Sequence, residues 1–257
     1  MLIIAFWAQQ SWGTIRVRLS PPIYNVETTA NSNLSYAISL QNNSDEPLSL
    51  RTRVKSLAFD THGNAAFPDA PFEPHSCQTW ISVDPKSIVL AARQKRSVDV
   101  NIEVPSDAAG GYYAAILFET DKTQASQGHS TVGLQLRTGS LVSLKIRRTI
   151  RLDVKIASLS LSNSREQTQF KITLRNDSNC HINPSGSIVI FNQDQRIIDR
   201  LTINDSTFML PGSERTFTLV WDNKRKRVPG TSYAAECRVV VRGLGKSLSY
   251  RTEPFNI

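Results

Sequence analysis

A chain of 257 residues, 40% hydrophobic and 20% charged, buries one large core or two ordinary ones and is not a disordered or low-complexity polymer. Thirty Lys and Arg against 22 Asp and Glu leave a net charge of +8. That balance favours acidic partners (nucleic acid, anionic wall polymer, anionic membrane or an acidic protein face) without choosing among them.

The first segment, residues 1–13, "MLIIAFWAQQSWG", carries an apolar run from Leu2 to Ala8 and no charge. It resembles the end of a secretory signal whose basic start is missing, so export from the cytoplasm is expected. No later stretch of eighteen apolar residues exists, and the mature chain is not expected to span a membrane.

From Thr14 onward the sequence reads as strands. Ile15, Val17 and Leu19 alternate with polar residues, as do Leu34, Tyr36, Ile38 and Leu40, and then Val98, Val100, Ile102 and Val104. Turn clusters such as "NNSDEP" and "PSDAAGG" separate these runs, and no three-turn amphipathic helix is visible. The stretch "FDTHGNAAFPDAPFEPHSCQTW" is rich in Pro, Gly and Asn and reads as an elaborated loop, the usual place for binding on a rigid sandwich. Phe67, Phe72 and Trp80 are its apolar candidates for partner contact. Further on, Val132, Leu134 and Leu136 alternate along the expected last strand of the first half, near a sheet margin. The "TGS" at 138–140 is expected to bend that strand as a bulge.

The chain repeats itself. Tyr113 and Tyr233, each followed by two alanines, are 120 residues apart, as are Leu90 and Leu210, while Asn42 and Asn176 are 134 apart. So long a period means two copies of a whole domain, at 14–148 and 149–257, the first lengthened by the elaborated loop. Short strands with alternating faces, about seven per copy, predict an all-β protein of two tandem immunoglobulin-like β-sandwiches. In each copy the tyrosine is expected to be buried, its hydroxyl held by backbone near the preceding turn, with Tyr112 more exposed than Tyr113. Cys77, Cys180 and Cys237 are an odd set, and idle thiols are favoured over a Cys180–Cys237 bridge.

"WISVDPKSIVLAARQKRSVDVNIEVPSDAAGGYYAAILFE" resembles the N-terminal immunoglobulin-like domain of bacterial surface proteins that interact with WxL wall proteins. It shares a Trp, a Pro five residues on, a basic stretch before a strand, and P-x-D-A-x-G-x-Y. "LPGSERTFTLVW" with "PGTSYAAECRVVV" is similar to the second domain of that type. Both resemble, more distantly, the two-domain pilus-assembly chaperones of the PapD-like group. The resemblance to wall-associated proteins implies that such chains usually end in a transmembrane anchor; this sequence stops at "EPFNI", so anchoring is not expected and the chaperone resemblance gains weight.

Chemistry is sparse. His75 with Cys77 and Cys180 with His181 are zinc-ligand types without a structural-zinc spacing. No GxSxG elbow or phosphate-binding glycine loop appears, so no catalytic residue, metal or cofactor is expected. The basic run Lys224–Arg227 reads as a solvated hairpin tip, and without interleaved aromatics no nucleic-acid partner is expected. The first functional reading is a non-catalytic extracytoplasmic module that binds envelope or surface proteins or anionic wall polymer. The alternative is a periplasmic chaperone that donates an edge strand to pilin-like clients. In that case the resemblance implies a basic cleft for the client's terminal carboxylate, with Arg16, Arg18 and Lys145 as its candidates.

Overall fold

A computed structural model describes residues 16–60, 63–71, 74–120, 136–163, 167–203, 208–222, 231–245 and 247–256, together with the backbone of 123–127 and 130–134. The segment 1–13, Phe72, His62, His129 and the run Lys224–Arg227 lie outside the described residues. Two β-sandwiches follow one another along the chain.

The first contains β1 (Val17–Ser20), β2 (Ile23–Thr28), β3 (Asn33–Asn42), β4 (Leu48–Lys55), β5 (Ala58–Phe59), β6 (Ala65–Ala66), β7 (Ile81–Asp84), β8 (Ser87–Leu90), β9 (Lys95–Glu103), β10 (Gly111–Glu119), β11 (Thr123–Gln127), β12 (Ser130–Leu134) and β13 (Arg137–Ile146). One sheet runs β1-β3-β9-β7 and the facing sheet β2-β13-β10-β4-β8. Two edge strands are divided between the sheets, β1 continuing into β2 and β7 into β8. This is the strand order of an immunoglobulin-like sandwich with a divided first strand. Its core is filled by the expected alternation: Ile38 and Leu40 on β3 meet Val98, Val100 and Ile102 on β9, and Ile116, Phe118, Val142 and Leu144 close it from the other sheet. Each such side chain, fully buried, contributes about 1.5–3 kcal/mol.

The second contains β14 (Val154–Asn163), β15 (Gln167–Asn176), β16 (Pro184–Asn192), β17 (Ile197–Ile203), β18 (Glu214–Asp222), β19 (Ser232–Val241), β20 (Ser247–Arg251) and β21 (Phe255–Asn256). A sheet β14-β15-β18 faces β17-β16-β19-β20, with β21 on the end of β19. Trp221, Phe170, Tyr233 and Phe255 fill its centre, Trp221 edge-on to Tyr233 with ring centroids 5.5 Å apart. The fold is all-β, and a single 3-10 turn at Gln78–Trp80 is the only helical element among the described residues.

The expected bulge at 138–140 is absent. Arg137 to Lys145 pair with Glu119 to Gly111 in unbroken register, and the glycine serves close packing instead, since a Cβ at Gly139 would strike the Leu117 side chain and the Ile116 carbonyl. The strand carrying Val132 and Leu134 is also distinct from the last strand. It pairs with β11 in a separate two-stranded ribbon, which leads into β13 through Leu136.

Candidate functional site

Strand β13 gathers the structural features that bear on binding. Its residues from Leu141 to Ile146 pair in parallel with Ile23 to Thr28 of β2, whereas residues 137–140 pair only with β10. The Leu141 amide donates outward to the Pro22 carbonyl at 3.0 Å, and the Ser140 hydroxyl donates to the Pro21 carbonyl at 2.8 Å, where β2 begins. Backbone groups alternate in direction along a strand, so Gly139 and Arg137 present theirs to the same side as Leu141. Beyond Pro21 no ladder covers them among the described residues. Among the described residues this is an open edge.

Beside that edge Glu119 is buried, 7% exposed, with Arg137 Nε at 2.6 Å and Arg53 Nε at 3.3 Å. The cations come from the strands on either side of β10, so the carboxylate holds the end of the sheet in register. Leu136 packs half-buried against the first core, and its amide donates to the Thr120 hydroxyl at 3.0 Å. The side chains of Val132 and Leu134 lie outside the described residues.

At its far end β13 enters the contact between the domains. The Tyr113 hydroxyl, expected near its own turn, instead crosses to the second domain. It accepts the His181 amide at 2.5 Å and meets His181 Nδ1 at 3.1 Å, with the Ser143 hydroxyl 3.5 Å from the same nitrogen. Tyr113 is 1% exposed and Tyr112 is half-buried. The neighbouring glycines explain the approach. A Cβ at Gly111 would collide with the Tyr113 hydroxyl and Cys180, and one at Gly110, where φ is +92°, would strike the Asn179 carbonyl. The Gly111 amide donates to that carbonyl at 2.8 Å. Burial, with a lesser push from Lys145, drives the His181 pKa from 6.5 down to about 3, so the ring is neutral.

The elaborated loop serves this contact as well. Phe67, a candidate for partner binding, packs half-buried with Phe59, Leu57 and Tyr113 against Leu210 and Phe208 of the second domain. Gly63 lies tight against the Arg215 guanidinium, and Asp69 pairs with Lys55. Trp80 packs on the first core with its ring 4.3 Å from Tyr112.

A cleft of about 880 Å³ opens between the domains, lined by Asn25, Glu27, Lys145, His181, Asn183 and Arg242 among others. Of the three cations considered for a carboxylate site, the structure brings Lys145 alone here. Arg18 lines a shallow groove with Lys95 on the other sheet, and the exposed Arg16 stands just before β1, its backbone bonded to Ser44 and Asn43. Arg242, on the turn after β19, was not anticipated. Nothing in its local sequence marks it, because only the docking of the domains sets it at the cleft.

Cys77, Cys180 and Cys237 are free, buried thiols, with burial raising the Cys237 pKa to about 11. Among the described residues no cluster of three His, Cys, Asp or Glu could hold a metal, and no helix is long and apolar enough to cross a membrane.

No protein-family model and no curated protein matches the sequence. Solved structures similar to the chain include the class 5 fimbriae chaperone CfaA, at 13% identity, with 93% of this chain and 100% of that one covered and a TM-score of 0.47. The CsuC–CsuE chaperone–tip adhesion subunit complex of Acinetobacter baumannii Csu pili is similar at 12% identity over 93% and 97% of the chains, TM-score 0.45. The Salmonella enterica SafA pilin complex with the SafB chaperone is similar at 13% identity over 94% and 98%, TM-score 0.43.

Proposed function

We propose that this chain is a non-catalytic, extracytoplasmic protein-binding module. Specifically, it is a periplasmic assembly chaperone that captures a pilin-like client through β13. The observation that carries the reading is that one strand offers an open backbone edge at Arg137–Gly139 and, six residues on, sets Lys145 in the interdomain cleft. Six residues of strand span about 20 Å. A client strand added to the edge gains affinity from main-chain hydrogen bonds, and alternate side chains set specificity. Val132 and Leu134, on the neighbouring ribbon, and Leu136, at its junction with β13, are the side chains offered to such a client. Lys145, lining the cleft between the domains, would pair with a client carboxylate there. Arg16 and Arg18 take no part, and Phe67 is committed to the domain contact, which favours the edge over the loop.

Co-purification from the native envelope, followed by identification of the bound protein, tests the reading. A protein with an incomplete sandwich is expected. Leu134→Glu is expected to abolish its capture while leaving the melting temperature unchanged. A destabilisation of several kcal/mol would instead mean that a charge had been buried in the core, and would remove the Val132–Leu134 ribbon from the client site.

A further inference from the structure

The larger sheet of the second domain packs β14, β15 and β18 on its inner side, and its outer face carries an unusual mixture. Ile197 and Val240 are 60% and 47% exposed. Register places Arg200, Val189, Glu236 and Arg251 in one row across β17, β16, β19 and β20, with Thr202, Ser187, Arg238 and Ser249 in the next. Three arginines from three strands therefore face outward around a single glutamate. Their positions are held: the Arg251 guanidinium lies 5.6 Å from the Phe191 ring and donates to the Gln195 side chain, Arg238 pairs with Glu236 at 3.2 Å, and Arg200 donates to Ser187 at 3.3 Å. Beside Arg200 and Arg238 lies a groove of about 190 Å³, floored by Val189, Phe191 and Ile197 and rimmed by those two arginines, Ser187 and the Glu236 that Arg238 pairs with. The second half of the chain is the more basic. Residues 149–257 hold sixteen Lys and Arg against ten Asp and Glu, whereas residues 14–148 hold fourteen against twelve.

We propose that this face docks an acidic peptide segment of a partner protein, one in which an apolar side chain is flanked by aspartates or glutamates. The groove has room for about one side chain, and the row from Arg200 to Arg251 spans about 14 Å, the length of four extended residues. Guanidinium forks match carboxylates in geometry as well as charge. A bilayer would meet too little exposed apolar surface here to hold the domain by insertion. The face is remote in sequence from β13, so the inference stands apart from the chaperone reading.

The test uses the full chain and a fluorescent peptide with one phenylalanine between two pairs of glutamates, followed by anisotropy at low and raised salt. Saturable binding that weakens with salt is expected. It should fall about tenfold or more, a loss of about 1.4 kcal/mol, in Arg200→Glu/Arg238→Glu and in Ile197→Ser, and stay unchanged in Leu134→Glu. These positions are exposed, so melting temperatures should match the wild type. The proposal is overturned by an absence of saturable binding, by variants that bind like the wild type, or by equal affinity for a peptide with serine in place of phenylalanine. Retention on phosphatidylglycerol vesicles that the peptide does not compete away would overturn it in favour of a lipid surface.

Discussion

Tyr113 and Tyr233 hold corresponding places in two related strands, but their surroundings set them to different tasks. Tyr233 sits inside the second core between Trp221 and Phe255. Tyr113 points away from its own core and closes the contact with His181, because Gly110 and Gly111 leave no Cβ to hold the second domain off. His181 is 3% exposed and stacked on Phe208 at 4.2 Å, with Tyr113, Ser143 and Lys145 facing it from the first domain. Its folded-state pKa lies below the unfolded value, so the unfolded chain binds a proton that the native chain refuses. Stability is then complete above about pH 6.5 and declines as the pH falls toward 3, by a few kcal/mol at most. Urea titrations from pH 7 to 4 should show this slope, and His181→Phe should flatten it. An identical slope in the variant would place the titration elsewhere.

At the scale of elements, each sandwich is tied by a buried asparagine at the end of a ten-residue strand, Asn42 on β3 and Asn176 on β15. Asn42 donates to the carbonyls of Glu46, Leu90 and Ala91, and accepts the Ser44 amide at 2.9 Å. Asn176 donates to Cys180, Met209 and Leu210 and accepts the Ser178 amide at 3.1 Å. The serines continue the correspondence: Ser44 receives the Arg16 amide and Ser178 the Asp153 amide, each at 2.9 Å. The amide nitrogen and oxygen are both engaged, and a bend after β3 or β15 is pinned to the approach of a distant strand. Removing the side chain leaves several buried backbone groups unsatisfied. Asn176→Ala and Asn42→Ala should each cost about 3 kcal/mol in urea denaturation. A loss below about 1 kcal/mol would mean that water replaces the side chain.

For the whole molecule, the two sandwiches have separate hydrophobic clusters, and a third cluster of Leu57, Tyr113 and Leu210 belongs to both. We expect the segments 14–148 and 149–257 to fold when expressed alone, each with a β-type circular dichroism spectrum. Each should melt below the full chain, since separation exposes the third cluster and His181. Unfolded segments would mean that the docked pair is the folding unit.

Much of this was legible in the residues themselves. Side chains on a strand alternate with period two, so Leu34 to Leu40 and Val98 to Val104 announce strands and the face they bury. The spacings of Asn42 and Asn176, and of Leu90 and Leu210, expose a duplicated domain, because a side chain with four hydrogen-bonding positions and its carbonyl partner must recur together. What the residues could not disclose was anything that depends on two distant surfaces meeting. Tyr113 bonds to the other domain and not to its own turn, Phe67 braces the domain contact, Arg16 and Arg18 stand away from Lys145, and Arg242 joins the cleft. Strand periodicity is a local property of the backbone, whereas docking depends on shapes that exist only once both sandwiches have formed, and that is why the architecture could be read ahead and the binding surfaces could not.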